Sequence, residues 1–185
     1  MNPPNTSREE IMRVSRKIVS EKGLPALNMR ALAKECGIAL GTLYNYYSDK
    51  DELVVAAIES VWQDILEKSA PDSGVRFSQY VTQTYAHIVE KLKDYPDFLA
   101  AHAISVAGSA KGKARGMMER CFGKIRSELH AALREDKNVD RSIFSETFRE
   151  EDLIGHILDT ITISIINGKP DCTVLTEILD RLLYR

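Results

Sequence analysis

The segment GIALGTLYNYYSDKDEL, Gly37 to Leu53, constrains this chain more than any other, because a turn, a very short helix and the start of a further helix must all fit within it. Gly37 supplies a backbone free to enter the left-handed region, and Ile38 and Leu43 supply apolar anchors. Between and just after those anchors, Thr42, Tyr44, Asn45 and Tyr46 are left facing outward. The pattern reads as the second half of a helix-turn-helix. Hydroxyls and amides displayed this way can hydrogen-bond phosphates or base edges without long-range charge.

The preceding residues complete the unit. Asn28 is an N-cap for a helix over 29–36, with Leu32 and Cys36 one turn apart and the small Ala33 beside them, where another helix can approach. Upstream, Ser7 and Glu10 have capping-box spacing, and Ile11, Val14 and Ile18 recur at helical intervals before Gly23 and Pro25 end the segment. A fourth helix begins at Ser48 or Asp49 and carries Leu53, Ala57, Val61 and Ile65 along one stripe. Lys50 falls in its first turn, where a cation opposes the helix dipole. A bound phosphate would resolve that conflict, since helix N-termini attract anions. A solvated surface lysine is the plainer alternative.

From Ser7 to Ile58 the chain resembles the DNA-binding domain of the TetR family of bacterial transcriptional regulators. The resemblance is carried by Gly37, Ile38, Ala39, Leu43, Tyr44, Tyr46, Tyr47, Ser48, Lys50, Asp51 and Leu53, and upstream by the run Asn28-Met29-Arg30-Ala31-Leu32-Ala33. Tyr47 departs from the pattern, which usually has a buried phenylalanine there. The resemblance implies that Leu40, Gly41, Thr42 and Tyr44 face the major groove. It puts Thr42, Asn45, Tyr46 and Lys50 largely on phosphates, and has Arg30 reaching from the second helix to a base edge or the backbone. The residue types suit those roles: arginine reads guanine with two hydrogen bonds, and Tyr44 and Leu40 can pack on a thymine methyl. Gly41 costs its helix about 1 kcal/mol relative to alanine, which points either to close approach of DNA or to simple tolerance.

Charge supports this reading only by its distribution. Residues 1–48 hold seven lysines and arginines against four acids, a balance of +3, whereas the whole chain carries −2, so residues 49–185 are acidic. Such an asymmetry orients a molecule on DNA. The polar N-terminus MNPPNTSREE is unlike a signal peptide, and no apolar run approaches a membrane span, so a cytoplasmic protein with no membrane partner is expected. Cys36, Cys121 and Cys172 are odd in number and widely spaced, which favours structural thiols over disulfides or a zinc site. His87, His102, His130 and His156 lack ligand spacing, so neither metal nor cofactor is expected.

The fold expected is all-α. An N-terminal three-helix helix-turn-helix domain, residues 1–50, is joined by a connecting helix over 49–68 to a helical ligand-binding and dimerisation domain, residues 51–185. Turn formers at Asp72-Ser73-Gly74 mark the break within the latter. Phe77, Val81, Thr84 and Ile88 then form one stripe, and Asp94-Tyr95-Pro96 ends that helix. A short helix carries Phe98, His102 and Val106 as far as Gly108. A longer one over 113–134 carries Met118, Cys121, Phe122, Ile125, Leu129 and Leu133, with Lys124 and Glu128 spaced for an ion pair.

The last two helices offer more apolar surface than one small domain can cover. A homodimer interface is therefore expected at Ile154, Leu158, Ile161, Ile165, Leu175, Ile178 and Leu182, by packing of two helical hairpins, as the resemblance also implies. A largely apolar small-molecule effector would sit among Trp62, Tyr85, Phe98, His102, Met118 and Phe122. An enzyme is not expected: the chain lacks a phosphate-binding glycine loop, a His-Glu-x-x-His helix and a nucleophile elbow. The function expected is a ligand-responsive regulator, most simply a repressor, that binds a roughly palindromic double-stranded operator as a dimer. The alternative is a helical interaction protein that has lost DNA binding.

Overall fold

The computed structural model describes residues 6–67, 74–101 and 111–184. These are helical apart from turns and one isolated bridge between Ser145 and Phe148, so the all-α expectation holds. Helix α1, Arg8–Lys22, starts where the Ser7 hydroxyl accepts the Glu10 amide at 3.1 Å, and it buries Ile11, Val14, Ile18 and Val19. Helix α2, Met29–Glu35, starts where the Asn28 side chain accepts the Ala31 amide at 2.9 Å. The chain leaves α2 through Gly37 at φ 66, with the Ile38 amide donating to the Ala33 carbonyl and the Gly37 amide to that of Lys34. Both bonds close a Schellman turn around a residue that must adopt positive φ. Helix α3, Leu40–Tyr44, follows at once.

Helix α4, Lys50–Leu66, carries the stripe read from the sequence: Leu53, Ala57, Val61 and Ile65 are all fully buried. Of the two candidate caps, Asp49 does the capping by accepting the Glu52 amide at 2.7 Å, while the Glu52 carboxylate accepts the amide of Ser48 at 2.8 Å. Lys68, Asp72 and Ser73 lie outside the described residues. Helix α5, Phe77–Leu92, buries Phe77, Tyr80, Val81, Thr84, Tyr85 and Ile88 on a broad face. A further helical turn begins at Phe98, and the expected positions His102, Val106 and Gly108 lie outside the described residues.

Helix α6 is Lys111–Glu135, α7 is Glu150–Ile166 and α8 is Thr173–Leu183. The expected Lys124–Glu128 pair is not among the ion pairs of the described residues. Glu150 instead takes both Arg134 and Arg141, at 3.3 and 2.9 Å. Its carboxylate lies in the first turn of α7, where acids complement the dipole.

By contacts the chain divides into two compact units, Met1–Ile65 with Leu92–Cys121, and Leu66–Lys91 with Phe122–Arg185. Most of α4 thus groups with α1 to α3, whereas the division at residue 50 read from the sequence followed the limits of the helix-turn-helix. The reason is physical: Arg16 of α1 donates to the Ser60 hydroxyl and lies 3.8 Å from the Asp64 carboxylate, so α4 is tied back onto α1.

The second unit is organised around a buried carboxylate. Asp136 accepts the Phe77 amide at 2.8 Å, the Tyr184 hydroxyl at 2.6 Å and the Asn138 amide at 2.9 Å. It thereby joins the start of α5, the end of α6 and the end of α8. Burial alone would raise its pKa, but hydrogen bonds from Tyr184, Phe77 and Asn138 outweigh that and hold the carboxyl below its ordinary value. The Tyr184 phenol is pushed up to about 12, by burial first and by its bond to Asp136 second.

Because the folded pKa of Asp136 is depressed, its contribution to stability is present above the unfolded value, near 3.9, and is lost as pH falls through the folded value. Asp136→Asn sets an amide against donors that need an acceptor, and should cost about 1–3 kcal/mol at pH 7. Thermal unfolding of both proteins from pH 7 to pH 2 checks this, the gap between them narrowing once Asp136 protonates in the wild type.

Candidate nucleic-acid interface

Five residues are too few for a stable helix in isolation, so α3 depends on what it packs against. Leu43 is fully buried, Tyr47 is 2% exposed, and α2 and α3 pack on one another. Ile38 is half-buried. With its inner side fixed, α3 leaves Gly41, Tyr44 and Asn45 exposed and Leu40 and Thr42 half-buried. Tyr44 is an apolar ring left 49% exposed. Gly41 has ordinary helical φ, and a Cβ built there meets nothing within 4 Å, so the chain itself gives no steric reason for a glycine. Arg30 on α2 and Lys50 on α4 are exposed.

Tyr46 is arranged differently from the role implied for it. Its hydroxyl donates to the Thr6 carbonyl at 2.6 Å, and its own carbonyl accepts the Arg8 guanidinium at 2.7 Å. The same guanidinium lies over the Tyr47 ring, 5.1 Å from its centroid. Sequence reasoning missed Arg8, although a signal was present: it occupies the first position of α1, where a cation opposes the dipole as Lys50 does in α4. It also missed Arg16, Asp64 and Tyr95, which form one chain in which the Tyr95 hydroxyl donates to Asp64 at 2.9 Å. Burial first, and that hydrogen bond second, raise the Tyr95 phenol above its ordinary pKa. Pairings between residues 31 positions apart leave no local sequence signal.

The candidate effector residues fall in both units. In the first unit, Trp62 and Phe98 meet edge to face with centroids 5.6 Å apart, and Tyr95 lies 6.2 Å from Phe98. Tyr85 and Phe122 belong to the second unit, where the buried Tyr85 donates its hydroxyl to the Lys169 carbonyl at 2.7 Å. His102 and the side chain of Met118 lie outside the described residues. The first unit also has an open cavity of about 700 Å³, lined by residues 20–25 with Leu27, Lys50, Val54, Pro96, Asp97, Ala100 and Ala101. Of the expected effector residues that are described, Trp62, Tyr85, Phe98 and Phe122, none lines it.

The candidate interface residues divide in the same way. Ile154, Leu158, Ile161 and Leu175 are buried within the chain, Ile165 is half-buried, and Ile178 and Leu182 are exposed. Ile163, Ile166 and Val174, absent from the expected set, are 59%, 66% and 75% exposed. Burial also raises the thiols of Cys36, Cys121 and Cys172, that of Cys121 to about 11. No group of His, Cys, Asp and Glu among the described residues is placed to hold a metal ion, and no helix there is long and apolar enough to cross a membrane.

Residues 11–57 match the family model described as bacterial regulatory proteins, tetR family. An HTH-type transcriptional regulator of Haemophilus influenzae, itself uncharacterised, is 33% identical over 95 residues, covering 50% of each chain. The HTH-type transcriptional regulator UidR of Escherichia coli K12 is 29% identical over 86 residues, 46% of this chain and 44% of that one. The chain thus spans about half the length of the curated relatives it matches. A solved structure of a tetR family transcription regulator from Shewanella sp. PV-4 superposes with a TM-score of 0.51 at 14% identity, over 89% of this chain and 88% of that one, a likeness of fold.

Proposed function

Residues 11–57 being a helix-turn-helix domain of the TetR family of transcriptional regulators, we propose that this chain is a repressor that binds a roughly palindromic operator as a dimer and leaves it when a small effector binds. The observation that carries the DNA-binding part is the outer face of α3. A helix held by Leu43 presents Gly41, Thr42, Tyr44 and Asn45 together, with Arg30 and Lys50 exposed on the helices before and after it. An exposed tyrosine on a five-residue helix has no internal use, whereas a thymine methyl or a sugar gives its ring a partner. The loss of DNA binding considered as the alternative would leave this outward set without purpose.

The dimer reading is supported by large apolar side chains that their own chain leaves exposed. Ile163 and Ile166 on α7, and Val174, Ile178 and Leu182 on α8, are exposed in the manner of an unpartnered interface. Two recognition helices on a two-fold dimer must meet successive major-groove faces, about 34–36 Å apart or a multiple of that.

The effector reading rests on the aromatic cluster of Trp62, Phe98 and Tyr95. A ligand that shifts Phe98 pulls on Tyr95, and through its bond to Asp64 on the attachment of α4 to Arg16 of α1. By linkage, DNA then weakens the ligand by the factor by which the ligand weakens DNA.

Selection of bound genomic fragments supplies the operator. On it, Tyr44→Ala should lose about 1–3 kcal/mol and discriminate less between sequences, while Lys50→Ala should weaken all sequences alike and reduce the salt slope by about one. Two folded variants with wild-type affinity would remove α3 from the interface.

Ile178→Glu should give a folded monomer in sedimentation at micromolar concentration, because it sets a charge into a surface that dimerisation would desolvate. Ile161→Glu should unfold the chain instead, its side chain being already buried. A dimeric Ile178→Glu protein places the interface elsewhere.

Trp62 is the single tryptophan and so reports on the cluster. Titration with any compound that releases the operator should change its fluorescence, and Phe98→Ala should weaken that compound. Release with unchanged emission and unchanged affinity moves the effector site away from Trp62.

A further inference from the structure

A helix as short as α3 needs both ends restrained, and its inner contacts account for only part of that. Leu43 and Tyr47 fix its depth, and the carbonyls of Thr42 and Leu43 accept the Asn45, Tyr46 and Tyr47 amides, but the carbonyl of Tyr46, two residues past α3, needs a donor from elsewhere. That donor comes from the start of α1. Arg8 donates to the Tyr46 carbonyl at 2.7 Å and covers the Tyr47 ring, while Tyr46 returns a hydrogen bond to the Thr6 carbonyl at 2.6 Å. The contact is reciprocal, with backbone and side chain of Tyr46 both engaged by residues 38 and 40 positions earlier.

Arg8 sits poorly in its own helix. At the first position of α1 its charge opposes the dipole, and Glu9 and Glu10 supply the acids that suit that turn. Just past the C-terminal end of α3 the same charge meets the Tyr46 carbonyl, and the planar guanidinium can stack on the Tyr47 ring while donating in its plane. Its hydrogen bond and ring contact both go to the residues that follow α3.

We propose that Arg8 is a positioning residue for the recognition helix: with Thr6 and Tyr46 it clasps the turn that follows α3 and so sets the angle at which Tyr44 and its neighbours meet DNA, without itself contacting a phosphate. The clasp rests on the DNA-binding reading only for its purpose. Its effect on α3 is independent of DNA. It also distinguishes Arg8 from Lys50, the other cation at the first position of a helix in this domain, which the resemblance places on a phosphate.

Two measurements on the full chain test it, using wild type, Arg8→Ala, Arg8→Lys and Tyr46→Phe. In hydrogen exchange of the free proteins, Arg8→Ala should raise the exchange rates of amides 43–47 by about tenfold or more while those in the middle of α1 keep their protection, as expected for local opening. Tyr46→Phe should do the same to a smaller extent. Arg8→Lys should recover only part of the protection, since an ammonium cannot stack and donate at once. Unchanged exchange at 43–47 in Arg8→Ala overturns the clasp, whether or not the protein binds DNA. On the selected operator, Arg8→Ala should lose affinity and discrimination against random sequence with the salt slope unchanged, because no phosphate contact is removed. A salt slope lower by about one, with equal losses on every sequence, would make Arg8 a phosphate contact and overturn the positioning role. A wild type that prefers no fragment refutes the DNA reading alone, and the exchange measurement still decides the clasp.

Discussion

Burial of Leu43 is the contact on which the proposed interface depends. A five-residue helix has almost no stability of its own, and its orientation is whatever its neighbours impose. Fully burying one leucine is worth about 1.5–3 kcal/mol, enough to hold a single turn only if the chain enters and leaves it in fixed directions. Entry is fixed by the Schellman turn at Gly37, which closes α2 and aims the chain into α3. Exit is fixed by Tyr47, buried beneath the Arg8 guanidinium, and by Asp49 and Glu52, which start α4. The outward set of Gly41, Thr42, Tyr44 and Asn45 is a consequence of these inward constraints.

The same economy recurs in the first unit, where isolated polar contacts bind helices that apolar packing has already brought together. Arg16, Ser60, Asp64 and Tyr95 tie α1 to α4 and α4 to the segment before Phe98. Each bond is modest in net energy, and their value lies in fixing angles between helices. Under the proposed function the output is the placement of one short helix, which needs such angles to be definite and also shiftable at a cost of about a few kcal/mol. A part-buried polar chain meets both needs better than a close-packed apolar contact, which resists graded movement.

The second unit depends on one buried carboxylate in a comparable way. Asp136 gathers the start of α5, the end of α6 and Tyr184 after α8, so the exposed apolar faces of α7 and α8 are carried on a fixed base. The four residues Ile154, Leu158, Ile161 and Leu175 are spent within this base. The side chains left exposed on α7 and α8 are a different selection from the same two helices. Helical periodicity locates a hydrophobic stripe, but when a helix is apolar on most sides it cannot divide the stripe between its own core and a second chain.

Local physics made much of this legible in the sequence alone. Ser7, Asn28 and Gly37 each mark a helix end through contacts within a few residues, and the α4 stripe of Leu53, Ala57, Val61 and Ile65 follows from the 3.6-residue period. The outward display of Tyr44 and Asn45 likewise needs only the position of Leu43. The tertiary structure alone decided which partners distant residues chose: Arg8 with Tyr46 and Tyr47, Asp64 with Arg16 and Tyr95, Asp136 with Phe77 and Tyr184. It also decided that Trp62 and Phe98 share a cluster while Tyr85 and Phe122 belong to the other unit. Caps and periods are written in neighbouring residues because the backbone groups they satisfy lie within one turn. Which side chain meets which across the fold depends on how whole helices pack, and no short stretch of sequence records that.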